Sequence, residues 1–189
     1  TAALDMAIWD WKAKNKDLPL HQFLHFPPPS VPTSITIGIN HPKVVKERIP
    51  LMFEDSTIKA LKVKLGTPQG IEADQEMFTQ VLESTQKYGI KIRVDANGGW
   101  STSEAIIMMK WLSDRGVDYI EQPIKEGEEE DLKYLYHNRP LPIYIDESCR
   151  FSEDVAKWAE YIDGVNMKLM KCGGITEALR IIQLAKQYK

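Results

Sequence analysis

The sequence predicts an α/β protein in which βα units repeat around a parallel sheet, and three observations carry that prediction. From Ser34 onward, short β-branched runs alternate with longer helical patterns. Five successive runs end in an ionisable residue, Lys64, Asp95, Glu121, Asp146 and Lys168, at spacings of 31, 26, 25 and 22, each about one βα unit. Punctuation separates the units: Ser101-Thr102-Ser103-Glu104 carries an N-cap and a capping-box glutamate, while Gly89 and Gly116 follow helical stretches as C-terminal stops.

The elements follow in order. Leu4, Ile8 and Trp11 fall on one stripe of an opening helix that runs to about Asn15. From Leu18-Pro19-Leu20 to Pro27-Pro28-Pro29-Ser30-Val31-Pro32 the chain cannot continue that helix, because proline lacks the amide donor and restricts its predecessor. Residues 1–32 are therefore a helix plus linker, and 33–189 hold the βα repeats. The expected strands are Ile35–Ile39, Ala60–Leu65, Lys91–Asp95, Asp118–Glu121, Ile143–Asp146 and Gly164–Lys168. Helices are expected to start near Pro42, Glu72, Ser101, Glu128, Ser152 and Ile175, the last running through Ala185 to Lys189. The chain opens at Thr1 without an initiator Met and closes inside a helical pattern, which predicts a fragment of a longer protein.

Composition narrows the function. At 189 residues, 43% hydrophobic and 27% charged, the chain can bury one substantial core, and disorder, collagen-like repeats and disulfide scaffolds are disfavoured. Lys plus Arg number 24 against 27 Asp plus Glu, a net charge of −3 with no basic arm, so neither nucleic acid nor an anionic membrane is an expected partner. No apolar run approaches the roughly 18 residues of a membrane span, and Cys149 and Cys172 show no metal or disulfide spacing. A cytoplasmic protein acting on a small molecule is the expectation.

Strands of a parallel sheet covered on both faces should be continuously apolar, so charge inside them needs a cause. In Leu61-Lys62-Val63-Lys64-Leu65 the period of two sets both lysines on one face and the aliphatics on the other. The same parity recurs in Arg93 and Asp95, Tyr119 and Glu121, Tyr144 and Asp146, and Asn166 and Lys168. If the sheet curls into a barrel, those residues point inward at the strands' C-terminal ends, where barrel active sites are built. Two amines would then flank three carboxylates, Asp95, Glu121 and Asp146. Such a cluster repels itself without a cation, and oxygen-only ligation suits Mg²⁺, or Mn²⁺, better than Zn²⁺.

Each signal alone has an ordinary explanation: Lys-x-Lys as an exposed edge, Asp95-Ala96-Asn97-Gly98 as a turn, strand-end acids as caps, Lys171 as surface charge. Their joint occurrence on one parity does not. His21, His25, His41 and His137 lie away from the strand ends and are expected at the surface or in packing; Cys172, with no base partner, is expected to pack. Glu126–Asp131 is expected to be a solvated helix start, and Trp9, Trp11, Trp111 and Trp158 are expected in the core.

The segments Leu61–Gly66, Arg93–Asn97, Ile120–Pro123, Ile145–Ser148 and Asn166–Gly174 resemble the enolase superfamily, in its muconate-lactonizing subgroup and most closely its dipeptide epimerases. Ala3–Lys12 is similar to the last helix of that family's α+β capping domain. The resemblance implies a partial TIM-like (β/α) barrel, six of eight units, after that helix. It implies that Asp95, Glu121 and Asp146 bind Mg²⁺, that Lys64 and Lys168 are the acid/base pair on opposite faces of the substrate, and that Lys62 is a supporting, substrate-binding amine. It implies a Mg²⁺-dependent racemase or epimerase that removes the proton α to a carboxylate through a metal-stabilised enolate, on a dipeptide of the L-Ala-D/L-Glu type; enolase-superfamily sites are a known case of a lysine base working with Mg²⁺. Each base needs a lowered pKa, for which Lys62 beside Lys64 is a physical cause. Asn97, Gln122 and Glu147 are supporting candidates or turn and cap residues.

Most of the capping domain and the seventh and eighth strands lie outside this sequence, including the strand whose Asp-x-Asp would grip the dipeptide's amino group. A cycloisomerase or an o-succinylbenzoate synthase would use the same frame. A catalytically inactive barrel fragment, associating as a homo-oligomer through open strand edges, is the alternative of another class.

Overall fold

The computed structural model describes residues 1–28, 30–54 and 58–188; Pro29 of the linker and Lys189 of the closing helical pattern lie outside the described residues. Strands β1 (Ser34–Ile37), β2 (Ala60–Lys64), β3 (Lys91–Asp95), β4 (Val117–Glu121), β5 (Ile143–Ile145) and β6 (Gly164–Val165) form one sheet in chain order, every neighbouring pair parallel. Helices α1 (Ala2–Lys14) and α2 (Leu20–Phe23) precede the sheet. Between and after the strands lie α3 (Pro42–Phe53), α4 (Ile71–Thr85), α5 (Thr102–Ser113), α6 (Leu132–Asn138), α7 (Ser152–Trp158), α8 (Leu169–Cys172) and α9 (Ile175–Gln187). The architecture is α/β, a six-stranded partial barrel.

Parity does what the sequence predicted. Leu61, Val63, Val94, Ile120, Ile143 and Ile145 are fully buried against helix residues such as Phe78, Met108, Met109 and Leu112. Each such aliphatic contributes about 1.5–3 kcal/mol over its exposed state. On the other face, Lys64 pairs with Asp95 and Asp95 with Glu121, so the ionisable ends of β2, β3 and β4 share one row. That face is concave: a lysine on β2 and an asparagine after β6 both reach Glu121 on β4.

Several boundaries differ from the sequence expectation. The first strand covers Ser34–Ile37 rather than Ile35–Ile39, and β6 ends at Val165, so Lys168 lies beyond the ladder as the N-cap of α8. A short 3₁₀ turn, Glu129–Asp131, precedes α6, which starts at Leu132 and not near Glu128. The opening helix ends before the linker as expected, and the linker itself contains α2, whose N-cap is Pro19, a position that needs no amide donor.

The stripe on α1 does not enter this core. Leu4, Ile8 and Trp11 are 67%, 44% and 63% exposed, so Trp11 is not the core residue expected of it; Trp158 is buried as expected. Helix α1 docks through the neighbouring face. Asp5 Oδ2 accepts the backbone N–H of Thr176 at 3.0 Å, Asp5 Oδ1 accepts the Thr176 hydroxyl at 2.5 Å, and Trp9 Nε1 donates to Thr176 Oγ1 at 2.9 Å. Asp5 thereby caps α9 from across the chain, where the helix's own N-cap, Gly174, has no side chain to offer. A Cβ on Gly174, which sits at φ +124°, would lie 2.4 Å from Asp5 Oδ2.

The hydrogen bond from Thr176 holds the Asp5 carboxyl below its ordinary range, against the effect of burial. A depressed carboxyl stabilises the fold above the ordinary carboxylate range, and that stability is lost as the pH falls through the folded-state value. Asp5→Ala should therefore lower stability at neutral pH by about 1 kcal/mol, or about 2–4 °C in Tm for a chain of this size, and lose its effect under acid. Thermal unfolding at pH 7 and in acid checks this; equal midpoints for both proteins at pH 7 would contradict it.

Candidate active site

Asp95 ends β3, Glu121 ends β4 and Asp146 follows β5; one carboxylate oxygen from each lies within 4.8 Å of the others. All three are nearly or wholly buried, at 0%, 2% and 0% exposure. Taking three such groups out of water is costly unless cations and hydrogen bonds compensate. Compensation comes from four lysines, two from each side. Lys62 donates to Glu121 Oε1 at 2.7 Å and lies 3.0 Å from Asp95 Oδ2, which Lys64 also reaches at 2.9 Å. On the far side Lys168 pairs with Asp146 Oδ2, and Lys171 pairs with Asp146 Oδ1 at 2.6 Å. Asn166 Nδ2 donates to Glu121 Oε1 at 2.6 Å.

These partners set the protonation preferences. Burial pushes Asp95 and Asp146 upward, but hydrogen bonds from Lys64 and Lys62 in one case and Lys168 and Lys171 in the other hold both carboxyls below their ordinary range. Glu121 moves the other way, because burial and the neighbouring Asp95 charge outweigh Lys62. Of the two bases for which a lowered value is expected, Lys168 is raised instead, as is Lys62 on the other flank. Burial depresses each, yet the carboxylates facing them, Glu121 and Asp95 for Lys62 and Asp146 for Lys168, raise both above the ordinary lysine value.

The loops that carry these groups are fixed by buried polar anchors. Asp74 in the first turn of α4 accepts from Gly66 N at 2.9 Å, Thr67 N at 3.2 Å and Trp100 Nε1 at 2.8 Å, joining the loop after Lys64 to the loop after Asp95. The two loops touch at Gly66, φ +85°, where a Cβ would stand 2.0 Å from the Ala96 carbonyl oxygen. Gln122, at φ +42°, uses its whole amide: Oε1 accepts from Asp146 N at 2.9 Å and Ser148 N at 3.3 Å, while Nε2 donates to Ile124 O and Ser148 Oγ. Asn97 acts through its backbone, donating N–H to Asp95 Oδ1 at 3.0 Å. Glu147 keeps one buried carboxylate oxygen without a hydrogen-bond partner.

All six residues singled out from the sequence, Lys62, Lys64, Asp95, Glu121, Asp146 and Lys168, therefore meet in one cluster. Lys171, expected as surface charge, belongs to it as well. Asp74 carried no visible signal: an acid in a first helical turn is ordinary, and hydrogen bonds across 26 residues of sequence, such as Trp100 to Asp74, have no local pattern; Asn166 shows in the sequence only by its inward parity, and Ser148 only as the end of the segment Ile145–Ser148. Cys172 packs as expected; Cys149 is buried as well, and burial pushes its thiol up to about 11.

The three carboxylates suit a hard divalent cation. Mg²⁺ takes oxygen ligands in an octahedron at about 2.0–2.1 Å, which sets ligand oxygens about 3–4 Å apart, a small closure from the present spacing. Among the described residues no His or Cys joins the group.

Residues 45–189 match the family model described as enolase C-terminal domain-like, and the chain belongs to that family. Among its relatives, a hydrophobic dipeptide epimerase from Flavobacteria bacterium (strain MS024-2A) is 63% identical over 186 residues, covering 98% of this chain and 53% of that protein. An L-Ala-D/L-Glu epimerase from Bacteroides thetaiotaomicron is 34% identical, covering 97% of this chain and 46% of that protein. The crystal structure of a dipeptide epimerase from Enterococcus faecalis V583, complexed with Mg and the dipeptide L-Leu-L-Tyr, superposes with a TM-score of 0.91 at 36% identity, covering 98% of this chain and 52% of that one. The chain spans about half the length of the curated relatives it matches.

Asp74→Ala would leave three donors unpaired, two of them on the loop after Lys64. We expect a loss of about 3 kcal/mol, since each buried unsatisfied group costs on the order of 1–3 kcal/mol. Urea unfolding measures it; a change below about 0.5 kcal/mol would contradict the anchoring role.

Proposed function

We propose that this chain carries the metal and acid/base centre of a Mg²⁺-dependent dipeptide epimerase. The observation that carries the proposal is the order of groups across the concave face: Lys64 beside Asp95 on one flank, Glu121 in the middle, Lys168 beside Asp146 on the other. Asp95, Glu121 and Asp146 would hold Mg²⁺. The ion, when bound, supplies positive charge to the substrate carboxylate and so lowers the barrier to removing the very weakly acidic α-proton. Lys64 and Lys168 would each face one side of that carbon. One Nζ, as the free amine, takes the α-proton; the other, as the ammonium, returns a proton to the opposite side and inverts the centre. Lys62 would bind and orient the substrate carboxylate from beneath. Binding of substrate and cation would release Lys64 and Lys168 from the carboxylates they now pair with.

For the substrate we propose hydrophobic dipeptides rather than the L-Ala-D/L-Glu type expected from the resemblance. The relatives at 63% and 53% identity are both hydrophobic dipeptide epimerases, whereas the L-Ala-D/L-Glu epimerases stand at 34% and 32%. Residues 1–32 would be the last helix of a capping domain plus its linker, and 33–189 the partial barrel; the exposed stripe of Leu4, Ile8 and Trp11 supports this as a surface awaiting cover. No helix among the described residues is long and apolar enough to cross a membrane.

Two measurements test the proposal. Mg²⁺ should raise the thermal midpoint of this chain by mass action, and Asp146→Asn should remove the effect; equal insensitivity of both would count against the metal site. In the protein extended to its relatives' length, L-Leu-L-Tyr should be epimerised with Mg²⁺ and L-Ala-D-Glu turned over poorly. There Lys168→Ala should abolish epimerisation, a loss of at least about 10²-fold, while one isomer still exchanges its α-proton with deuterated water. Full two-way epimerisation by that variant would defeat the two-base assignment, and inactivity of the parent on every dipeptide would favour a cycloisomerase.

A further inference from the structure

The four lysines around the carboxylates fall into two kinds. Lys62 and Lys171 lie deeper, with side chains 17% and 15% exposed; Lys64 and Lys168 lie nearer the opening, at 33% and 43%. Each aspartate binds one of each kind: Asp95 bridges Lys62 and Lys64, and Asp146 bridges Lys171 and Lys168.

Lys171 differs from Lys168 in how many of its protons are used. An ammonium has three N–H donors and no acceptor. Lys171 Nζ meets three acceptors: Asp146 Oδ1 at 2.6 Å, the Asp146 backbone carbonyl, and the Asn166 backbone carbonyl at 3.0 Å. All three donors are committed. Among the described residues Lys168 Nζ has a single partner, Asp146 Oδ2.

The acceptors of Lys171 lie where the sheet runs out. The last rung between β5 and β6 pairs Ile145 with Val165, and Asn166 N still donates to Ile145 O at 2.7 Å. Beyond that point no ladder holds the two strand ends together: the Asp146 carbonyl accepts the Cys149 N–H at 3.0 Å within its own loop, and the Asn166 carbonyl has no backbone donor among the described residues. The Lys171 ammonium takes both. It also takes one oxygen of the Asp146 carboxylate, leaving the other to face Lys168 and the cluster.

We propose that Lys171 is a positioning residue, an ammonium staple that ties the end of β5 to the end of β6 and fixes the Asp146 carboxylate with one oxygen turned toward the metal position. It mirrors Lys62, which joins β2 to the carboxylates of β3 and β4, so each flank has an inner lysine that holds and an outer lysine that reacts. The proposal rests on the Mg²⁺ site described above and extends it: of the two lysines after β6, Lys168 is free to move to a substrate and Lys171 is not. Because the staple also sets the start of α8, whose N-cap is Lys168, it positions the reactive amine together with the ligand.

Two readouts on this chain test it, one independent of any metal. Brief acetylation with acetic anhydride, followed by peptide mass spectrometry, should modify Lys64 and Lys168 at least several-fold faster than Lys62 and Lys171. Labelling of Lys171 as fast as Lys168 in the unmodified chain would overturn the proposal, and this arm needs no variant that folds. Second, Lys171→Met should weaken the apparent Mg²⁺ affinity, read by calorimetric titration, by about 10–100-fold, the usual cost of losing a residue that orients a metal ligand. A merely repulsive cation would give the opposite result, since its removal would tighten Mg²⁺ binding; unchanged or tighter binding in Lys171→Met therefore overturns the positioning role. If the unmodified chain binds no Mg²⁺ while Lys171 stays protected from acetylation, the metal reading fails and the strand-end staple stands.

Discussion

Three carboxylates without water around them form the constraint on which the rest of this molecule is arranged. At the distances between Asp95, Glu121 and Asp146, unit charges of one sign repel by several kcal/mol at the effective dielectric of a protein site. The chain neutralises them with lysines on both flanks, and burial makes those pairs stronger than surface ion pairs, which are worth about 0–1 kcal/mol. On the proposed reading such an arrangement is poised for exchange: a divalent cation would take over the carboxylates, and two of the lysines would become available. The present pairing of Lys168 with Asp146 and of Lys64 with Asp95 would then be one side of that exchange.

Geometry follows from register. Because β2, β3 and β4 align Lys64, Asp95 and Glu121 in one row, a period of two is enough to deliver three ionisable groups to the same level of the concave face. The row then slants. Glu121 pairs with Tyr144 on β5, so Asp146 stands two residues further along, and on β6 the ladder stops before Lys168 is reached. From β5 onward the site is held by side chains rather than by the sheet: Gln122 spans from the end of β4 to Asp146 and Ser148, and Lys171 spans from β5 to β6. Asp5 anchors the following helix from the far end of the chain.

The parts legible in the sequence were those with a period. Alternation within Leu61–Leu65 and its recurrence at Arg93, Tyr119, Tyr144 and Asn166 foretold the parallel sheet, its two faces and six of the seven ionisable residues of the cluster, Lys171 being the exception. Capping chemistry placed α5 correctly, because Ser101 and Glu104 hydrogen-bond within four residues of one another. What escaped has no local signature. Trp11 shares a stripe with Leu4 and Ile8, yet a stripe does not say which partner covers it, and none of the described residues does. Lys171 looked like surface charge because its acceptors, the carbonyls of Asp146 and Asn166, are backbone atoms that every residue possesses. The rise at Lys168 escaped for a related reason: the carboxylate that causes it, Asp146, arrives from the end of β5.

The central claim is that these three carboxylates make one divalent-cation site, and anomalous diffraction from a crystal of this chain soaked in Mn²⁺ tests it most directly. A single strong peak is predicted, within coordination distance of one oxygen each from Asp95, Glu121 and Asp146, with Lys168 displaced from Asp146 and Lys171 still bound to it. A map with no peak among the three carboxylates, or with its strongest peak elsewhere on the chain, would contradict the account.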